Sequence, residues 1–335
     1  MNVILSDTEF LQFRDLIHRI AGISLSDAKK QLVSARLAKR LHLFKLTNYG
    51  AYYKLLMKDS AELQVAVDML TTNETYFFRE PKHFDFLRDV ALPELRGSGP
   101  LRIWSGACST GEEPYTLAMV LADNLAGRPW EIVASDISSR VLDKARTGRY
   151  PLEGTRGIPE ALLNKYCLKG VGANHGCFMV DRALAARIDF QAINLNNPLP
   201  KLGMFDVIFL RNVMIYFDND TKVQVVQRLI NHLKPGGYFL VSHSESLNGV
   251  TDELRLIKPS IYRRPRACKQ SAPRGFSEYR RVVFRRWRDS AAHGAGVVCG
   301  TGVLAPPALV GRHVPLPVTP TRSAELARVG RALRQ

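Results

Sequence analysis

Four short stretches of this 335-residue chain gather polar groups, three of them where strands should end. The first is Ile103-Trp104-Ser105-Gly106-Ala107-Cys108-Ser109-Thr110-Gly111-Glu112-Glu113-Pro114. An apolar run from Leu101 to Trp104 stops at small residues. Two carboxylates and a proline follow, and then an apolar helical pattern from Tyr115 to Leu125. Strand, tight loop and helix in that order bring backbone N–H groups close to a bound cofactor. The loop is not G-x-G-x-x-G, which a nicotinamide dehydrogenase would want, and it carries acid where a phosphate cradle wants none. A ligand with a cationic head and a hydroxylated sugar fits it better.

The second stretch, Glu131 to Asp136, is a short apolar strand ending in an acid. A carboxylate at that strand tip reaches ribose hydroxyls in a doubly wound sheet, or caps the helix that starts at Ser138 or Ser139. The third, Thr71 to Pro81, sets Tyr76, Phe77 and Phe78 among hydroxyl, amide and guanidinium groups. Aromatic runs are usually core, but this one directly precedes the cofactor-type unit, where a lid would sit. The fourth, Arg211 to Phe217, follows the continuous apolar run Phe205–Leu210, a strand buried on both faces. Polar groups at such a tip face the crevice where open α/β sheets bind ligands.

The elements that must position these groups are legible around them. Ser6-Asp7-Thr8-Glu9 has capping-box spacing ahead of a helix ending near Gly22. A second helix from Ser26 or Asp27 carries Arg36, Lys39 and Arg40 opposite Leu32, Leu37 and Leu41, either a solvated face or a docking surface. Short helices from Thr47 and over Ala61–Leu70 complete a helical domain, residues 1–72. Strands and helices then alternate, interrupted over about 166–186 by a hairpin, Tyr166–Leu168 and Cys177–Val180 around a glycine-rich loop. Further strands are expected at Ile188–Ile193 and Tyr238–Val241, the latter after a Pro235-Gly236-Gly237 turn, with a last one near Leu256–Tyr262.

Charge is unevenly placed. The net +16 resides mostly in the tail: Arg263 to Gln335 hold 15 of the 47 basic and 3 of the 31 acidic residues, leaving +4 for residues 1–262. The body is therefore not marked as a nucleic-acid binder. The Arg- and Pro-rich tail, 264–335, is expected to be disordered or a read-through of a shifted frame. No apolar run spans a membrane, and the N-terminus lacks signal-peptide regions. Five cysteines without C-x-x-C spacing suggest neither a disulfide framework nor a zinc site, and point to a reducing cytoplasm.

Taken together, Thr72-Asn73-Glu74-Thr75-Tyr76-Phe77-Phe78-Arg79-Glu80, Ala107 to Tyr115, Ala134-Ser135-Asp136-Ile137, Arg211 to Phe217, Leu233 to Gly237 and His243-Ser244-Glu245 resemble the CheR family of chemoreceptor glutamate methyltransferases. The resemblance covers about residues 5–263. It implies an α/β class I methyltransferase (Rossmann-like) domain over 73–263 with an inserted β-subdomain, behind the helical domain. It implies S-adenosylmethionine as cofactor, S-adenosylhomocysteine as product, and Asn73, Thr75, Arg79, Glu113, Asp136, Asn194, Leu195, Arg211 and Asn212 as contacts. Glu113 suits the cationic amino group or sulfonium and Asp136 the ribose, while Glu112 suits a structural role. Arg79 is expected to orient the incoming carboxylate and Tyr216 to shape the methyl path.

The reaction implied forms glutamyl methyl esters on methyl-accepting chemoreceptors; the rival is a non-catalytic S-adenosylmethionine-binding adaptor. Arg36, Lys39 and Arg40 become candidates for docking the acidic receptor helices. Lys169, Gly170 and Gly172 are candidates for tethering a C-terminal receptor pentapeptide by strand addition. Lys169 and Met179 stand where the resemblance leads one to expect arginines. A monomer with neither metal nor membrane insertion completes the expectation.

Overall fold

The computed structural model describes residues 3–266 apart from Arg96, Ser98 and Ala126. The expectation for the tail therefore lies almost wholly outside the described residues. Its first residues belong to the body: Arg264 Nη1 donates to the carbonyls of Ile230 and Leu233.

Four helices open the chain: α1 (Asp7–Ala21), α2 (Lys30–Leu43), α3 (Tyr49–Leu56) and α4 (Ser60–Leu70). The capping box forms as read, with Ser6 and Glu9 satisfying each other's backbone N–H. Asn48 and Asp59 cap α3 and α4. One 3-10 turn, Asp27–Lys29, precedes α2, and Ser26 makes no side-chain cap there.

Among the described residues, ten strands follow: β1 (Leu101–Gly106), β2 (Trp130–Asp136), β3 (Arg149–Pro151), β4 (Cys167–Lys169), β5 (Cys177–Val180), β6 (Ile188–Ala192), β7 (Phe205–Leu210), β8 (Leu233–Leu240), β9 (Arg255–Lys258) and β10 (Ile261–Arg263). Seven build one sheet in the order β6-β2-β1-β7-β8-β10-β9. It is parallel from β6 to β8, and β10 runs antiparallel to both of its neighbours. The expected open α/β sheet holds, and strand order reverses between β1 and β7, the crevice that receives ligands. In register, Gly106 of β1 pairs with Ser135 of β2 and Leu210 of β7, so the three polar tips end side by side.

The inserted sheet is three-stranded and antiparallel, β3-β5-β4. Its third strand, Arg149–Pro151, lies upstream of the range 166–186 read from the hairpin. β8 also begins earlier than Tyr238, because Pro235-Gly236-Gly237 sits at a register shift inside the strand rather than in a turn before it. Ahead of β1, helical structure runs from Lys82 to Glu94 through a π-helical turn at Leu87–Ala91.

One continuous apolar core runs from Phe10, Leu16 and Ile17 of α1 to Ile208 of β7 and to Val225 and Leu229 of the helix Asn219–Ile230. The helical domain is therefore packed directly on one face of the sheet. Polar contacts reinforce this: Asn194 Nδ2 donates to Ile20 O at 2.7 Å, Ser24 N donates to Tyr216 O at 2.7 Å, and Ile23 bridges Phe217. His18 Nε2 meets Asp218 Oδ2 at 2.6 Å.

Asp218 caps the helix Asn219–Ile230 by accepting from Thr221 N. That bond, the Thr221 hydroxyl and His18 together lower its carboxyl from 3.8 to about 2. A depressed carboxylate pKa contributes stability that is complete above the unfolded value and is lost as pH falls through the folded one. Asp218→Ala is expected to cost ~1 kcal/mol at neutral pH. The gap from wild type should close between about pH 4 and pH 2, as urea midpoints across that range would show.

Candidate active site

The crevice at the three strand tips is a pocket enclosing about 940 Å³, solvent at its mouth included. All ten residues expected at the cofactor and the methyl line it: Asn73, Thr75, Arg79, Glu113, Asp136, Asn194, Leu195, Arg211, Asn212 and Tyr216. Ala21 and Ile23 of the helical domain, which no motif had marked, line it as well.

The opening loop is shaped by backbone strain. Ala107 (φ 58°), Ser109 (φ 50°) and Asn212 (φ 58°) line the pocket with positive φ, and Phe78 and Glu80 flank Arg79 with φ of 56° and 57°. Non-glycine residues are uncommon in this region, and such strain gathers where surrounding contacts over-determine it. Gly111 (φ +96°) starts the helix Glu112–Asn124, and a Cβ there would stand 2.8 Å from Ala145 Cβ. Gly111→Ala is therefore expected to destabilise by at least ~1 kcal/mol and to weaken S-adenosylhomocysteine binding as the loop shifts. Thermal melts and calorimetry would read the two effects.

Asp136 holds this loop from below. Its Oδ2 accepts Ser109 N at 2.9 Å and its Oδ1 accepts Ser138 N at 2.9 Å, while Ser138 Oγ caps the helix Ser139–Thr147. This acid thus braces the start of the helix and also lines the pocket. Burial pushes its carboxyl upward, against the lowering effect of the backbone donors. Glu112 points away, held by Thr110 Oγ1, and burial raises its carboxyl as well.

At the other wall lies a buried charge network. The Arg211 side chain, 2% exposed, donates from Nη1 to Glu113 Oε2 at 2.9 Å and from Nη2 to the Arg79 carbonyl, with Glu80 Oε2 3.2 Å from Nη2. Glu113 Oε1 accepts Ser105 Oγ at 2.7 Å. Arg211 Nε finds no hydrogen-bond partner among the described residues. Glu245, which carried no assigned role, accepts from the backbone N–H of Asn212, Ile215 and Ser242, and so fixes the loop bearing Tyr216.

The aromatic segment divides its labour. Phe77 is buried edge-on against Tyr150, Phe78 packs on Phe84, and Tyr76 stays half exposed at the pocket. Arg79 Nη1 donates to Glu74 O at 2.7 Å, and its guanidinium lies over the Tyr76 ring. Among the described residues it makes no ion pair, so a bridge to Glu80 or Glu112 does not form. Asn194, by contrast, commits its side chain to Ile20 O and Asn196 N.

The basic residues of α2 differ from one another. Arg40 pairs with buried Glu62, which also accepts from Tyr52. Arg36 donates to the carbonyls of Leu70 and Thr71 and to Thr72 Oγ1, beside the Tyr216 phenol. Only Lys39 of the three is exposed; Arg36 and Arg40 are half-buried. In the small sheet, Lys169 pairs with Phe178 on β4, which is an edge strand. Leu168 and Val171 stand exposed there. Gly170 is sterically required, since a Cβ would meet Asn174 O at 2.1 Å.

Comparison with known proteins adds to this geometry. Residues 73–263 match the "CheR methyltransferase, SAM binding domain" and residues 8–71 the "CheR methyltransferase, all-alpha domain". The chain is 42% identical over 257 residues to chemotaxis protein methyltransferase 2 of Pseudomonas aeruginosa, covering 76% of this chain and 92% of that one. It is 42% identical over 265 residues to the chemotaxis protein methyltransferase of Escherichia coli, covering 77% and 91%. A solved N-methyltransferase, NodS of Bradyrhizobium japonicum in complex with S-adenosyl-L-homocysteine, aligns with 13% identity and a TM-score of 0.35, over 58% of this chain and 94% of that one.

Proposed function

This chain belongs to the CheR methyltransferase family and binds S-adenosylmethionine, and on that premise we propose that it methylates glutamate side chains of chemoreceptors. The observation that carries the substrate class is Arg79, a pocket-lining guanidinium without a carboxylate partner among the described residues. A carboxylate entering beside it meets a positive charge tethered only to a carbonyl and an aromatic face. Transient contact suits the task, because a tight clamp would damp the nucleophile.

The residues present fit the cofactor. Arg211 Nε, buried and without an acceptor, matches its carboxylate, and Glu113 beside it matches its ammonium. Asp136 matches the ribose hydroxyls, and Ile137, Leu195 and Val213 offer apolar wall to the adenine. When bound, the cofactor supplies a methyl group on a sulfonium that is its own leaving-group activator. No general base is needed, since a glutamate with pKa ~4.3 is ionised at neutral pH. The chain's contribution is alignment: Arg79 and Tyr216 orient the carboxylate, Glu245 fixes the Tyr216 loop, and positioning supplies up to roughly 7–11 kcal/mol.

Lys39 on α2 remains available to acidic receptor helices, with Arg36 and Arg40 shaping that face from within. The open β4 edge with Lys169, Gly170 and Gly172 suits an added peptide strand. The test incubates the full chain with labelled S-adenosylmethionine and receptor-containing membranes. Base-labile label on receptor glutamates is expected, and cofactor binding without any transfer would overturn the reading.

A further inference from the structure

Behind the Arg211 wall, outside the cofactor pocket, Glu80, His83 and His243 converge. One ligand atom from each lies within 4.8 Å of the others. His83 is fully buried, and its Nδ1 has no hydrogen-bond partner among the described residues. Glu80 Oε2 lies 3.4 Å from that nitrogen and 3.9 Å from His243 Nε2. The imidazole centroids are 4.7 Å apart.

Ser260 bridges the two rings from the side away from Glu80. Its oxygen lies 2.7 Å from His83 Nε2 and 3.2 Å from His243 Nδ1, and its hydroxyl donates to the Pro259 carbonyl. The remaining ring nitrogens, His83 Nδ1 and His243 Nε2, both face one carboxylate oxygen, Glu80 Oε2. Glu80 Oε2 also meets Arg211 Nη2 at 3.2 Å and accepts the His243 backbone N–H at 3.1 Å, which leaves buried His83 Nδ1 as the atom without a partner among the described residues. A histidine that donates its outer N–H while aiming its bare nitrogen inward is the arrangement metal-bound histidines adopt.

We propose that Glu80, His83 and His243 form a three-ligand site for a divalent first-row ion of the zinc class. Imidazole nitrogens with one carboxylate suit such ions, which bind at ~2.0–2.2 Å and hold ligand atoms about 3.4 Å apart in a tetrahedron. Of the observed separations, 3.4 Å already matches, 3.9 Å needs slight closure, and the two inner ring nitrogens lie within 4.8 Å of each other. The fourth position opens beside His243, 44% exposed, into a cleft where Lys82 and Lys258 are offset by Asp85 and Asp89. Glu80 and Glu113 around the single Arg211 leave net negative charge nearby.

The site is wired to the cofactor pocket. Glu80 Oε2 is also the partner of Arg211 Nη2, so an ion there competes with the guanidinium that holds Glu113. Zinc should therefore lower cofactor affinity, and cofactor should lower zinc affinity by the same factor. This coupling rests on Arg211 facing the cofactor; the site itself does not.

Titration of the full chain with zinc against a chelating dye is the test. One equivalent should bind, and His243→Ala and His83→Gln should each weaken it at least ~10-fold, the loss known even for outer partners such as Ser260→Ala would remove. His42→Ala, on exposed α2 surface, should leave zinc binding unchanged, and circular dichroism should show every variant folded. Calorimetry with S-adenosylhomocysteine should show several-fold weaker binding in zinc-loaded wild type and no zinc effect in His243→Ala. Zinc binding that is absent, or equal in wild type and His243→Ala, overturns the site. Site-specific zinc binding that leaves S-adenosylhomocysteine affinity unmoved overturns the coupling.

Discussion

Arg211→Ala is expected to cost ~3–5 kcal/mol of stability and to abolish cofactor binding together, the cost of stranding buried charge. Two carboxylates, Glu80 and Glu113, lose their partner, as does the Arg79 carbonyl at a backbone turn already flanked by positive φ. The melting temperature should fall by roughly 6–20 °C for a folded body of this size. Arg211→Lys keeps the charge but cannot reach both acids with a planar fork, so it should rank between wild type and alanine. Native-like stability with unchanged S-adenosylhomocysteine affinity in Arg211→Ala would show that the network is incidental.

Arg79→Ala should separate chemistry from folding. Its guanidinium has one hydrogen bond, to Glu74 O, and an aromatic face, so stability should move by no more than ~1 kcal/mol. Methyl transfer should fall ~100-fold or more, the penalty of a misaligned nucleophile. Cofactor affinity should drop only modestly, because Glu113, Arg211 and Asp136 remain. Turnover of labelled receptor measures the first effect and calorimetry the second. Full turnover in the alanine variant would remove Arg79 from the reaction.

How much of this was legible beforehand depends on distance along the chain. The opening loop, the Asp136 tip and the Ser6 capping box are local patterns, and the structure forms each of them. β3 escaped because three residues ending in proline carry no period. β8 looked shorter because proline and two glycines usually punctuate, whereas here they occupy a register shift. The partners of Arg36 and Arg40 lie on another helix or just past its end, at separations that no spacing rule covers. His83 and His243 are 160 positions apart, so no ligand-spacing pattern could join them.

The bond from Asn194 to the end of α1 bears on engineering. Ala21 and Ile23 line the pocket, and a Cβ on Gly22 would stand 2.6 Å from Thr221 Cγ2. The junction near residue 72 therefore divides two sequence families without being a mechanical joint. A chimera meant to exchange receptor preference between relatives should splice after Ser24 and return before Thr71, leaving α1 with the catalytic body it closes. A graft of the whole helical domain would instead carry in a foreign pocket wall.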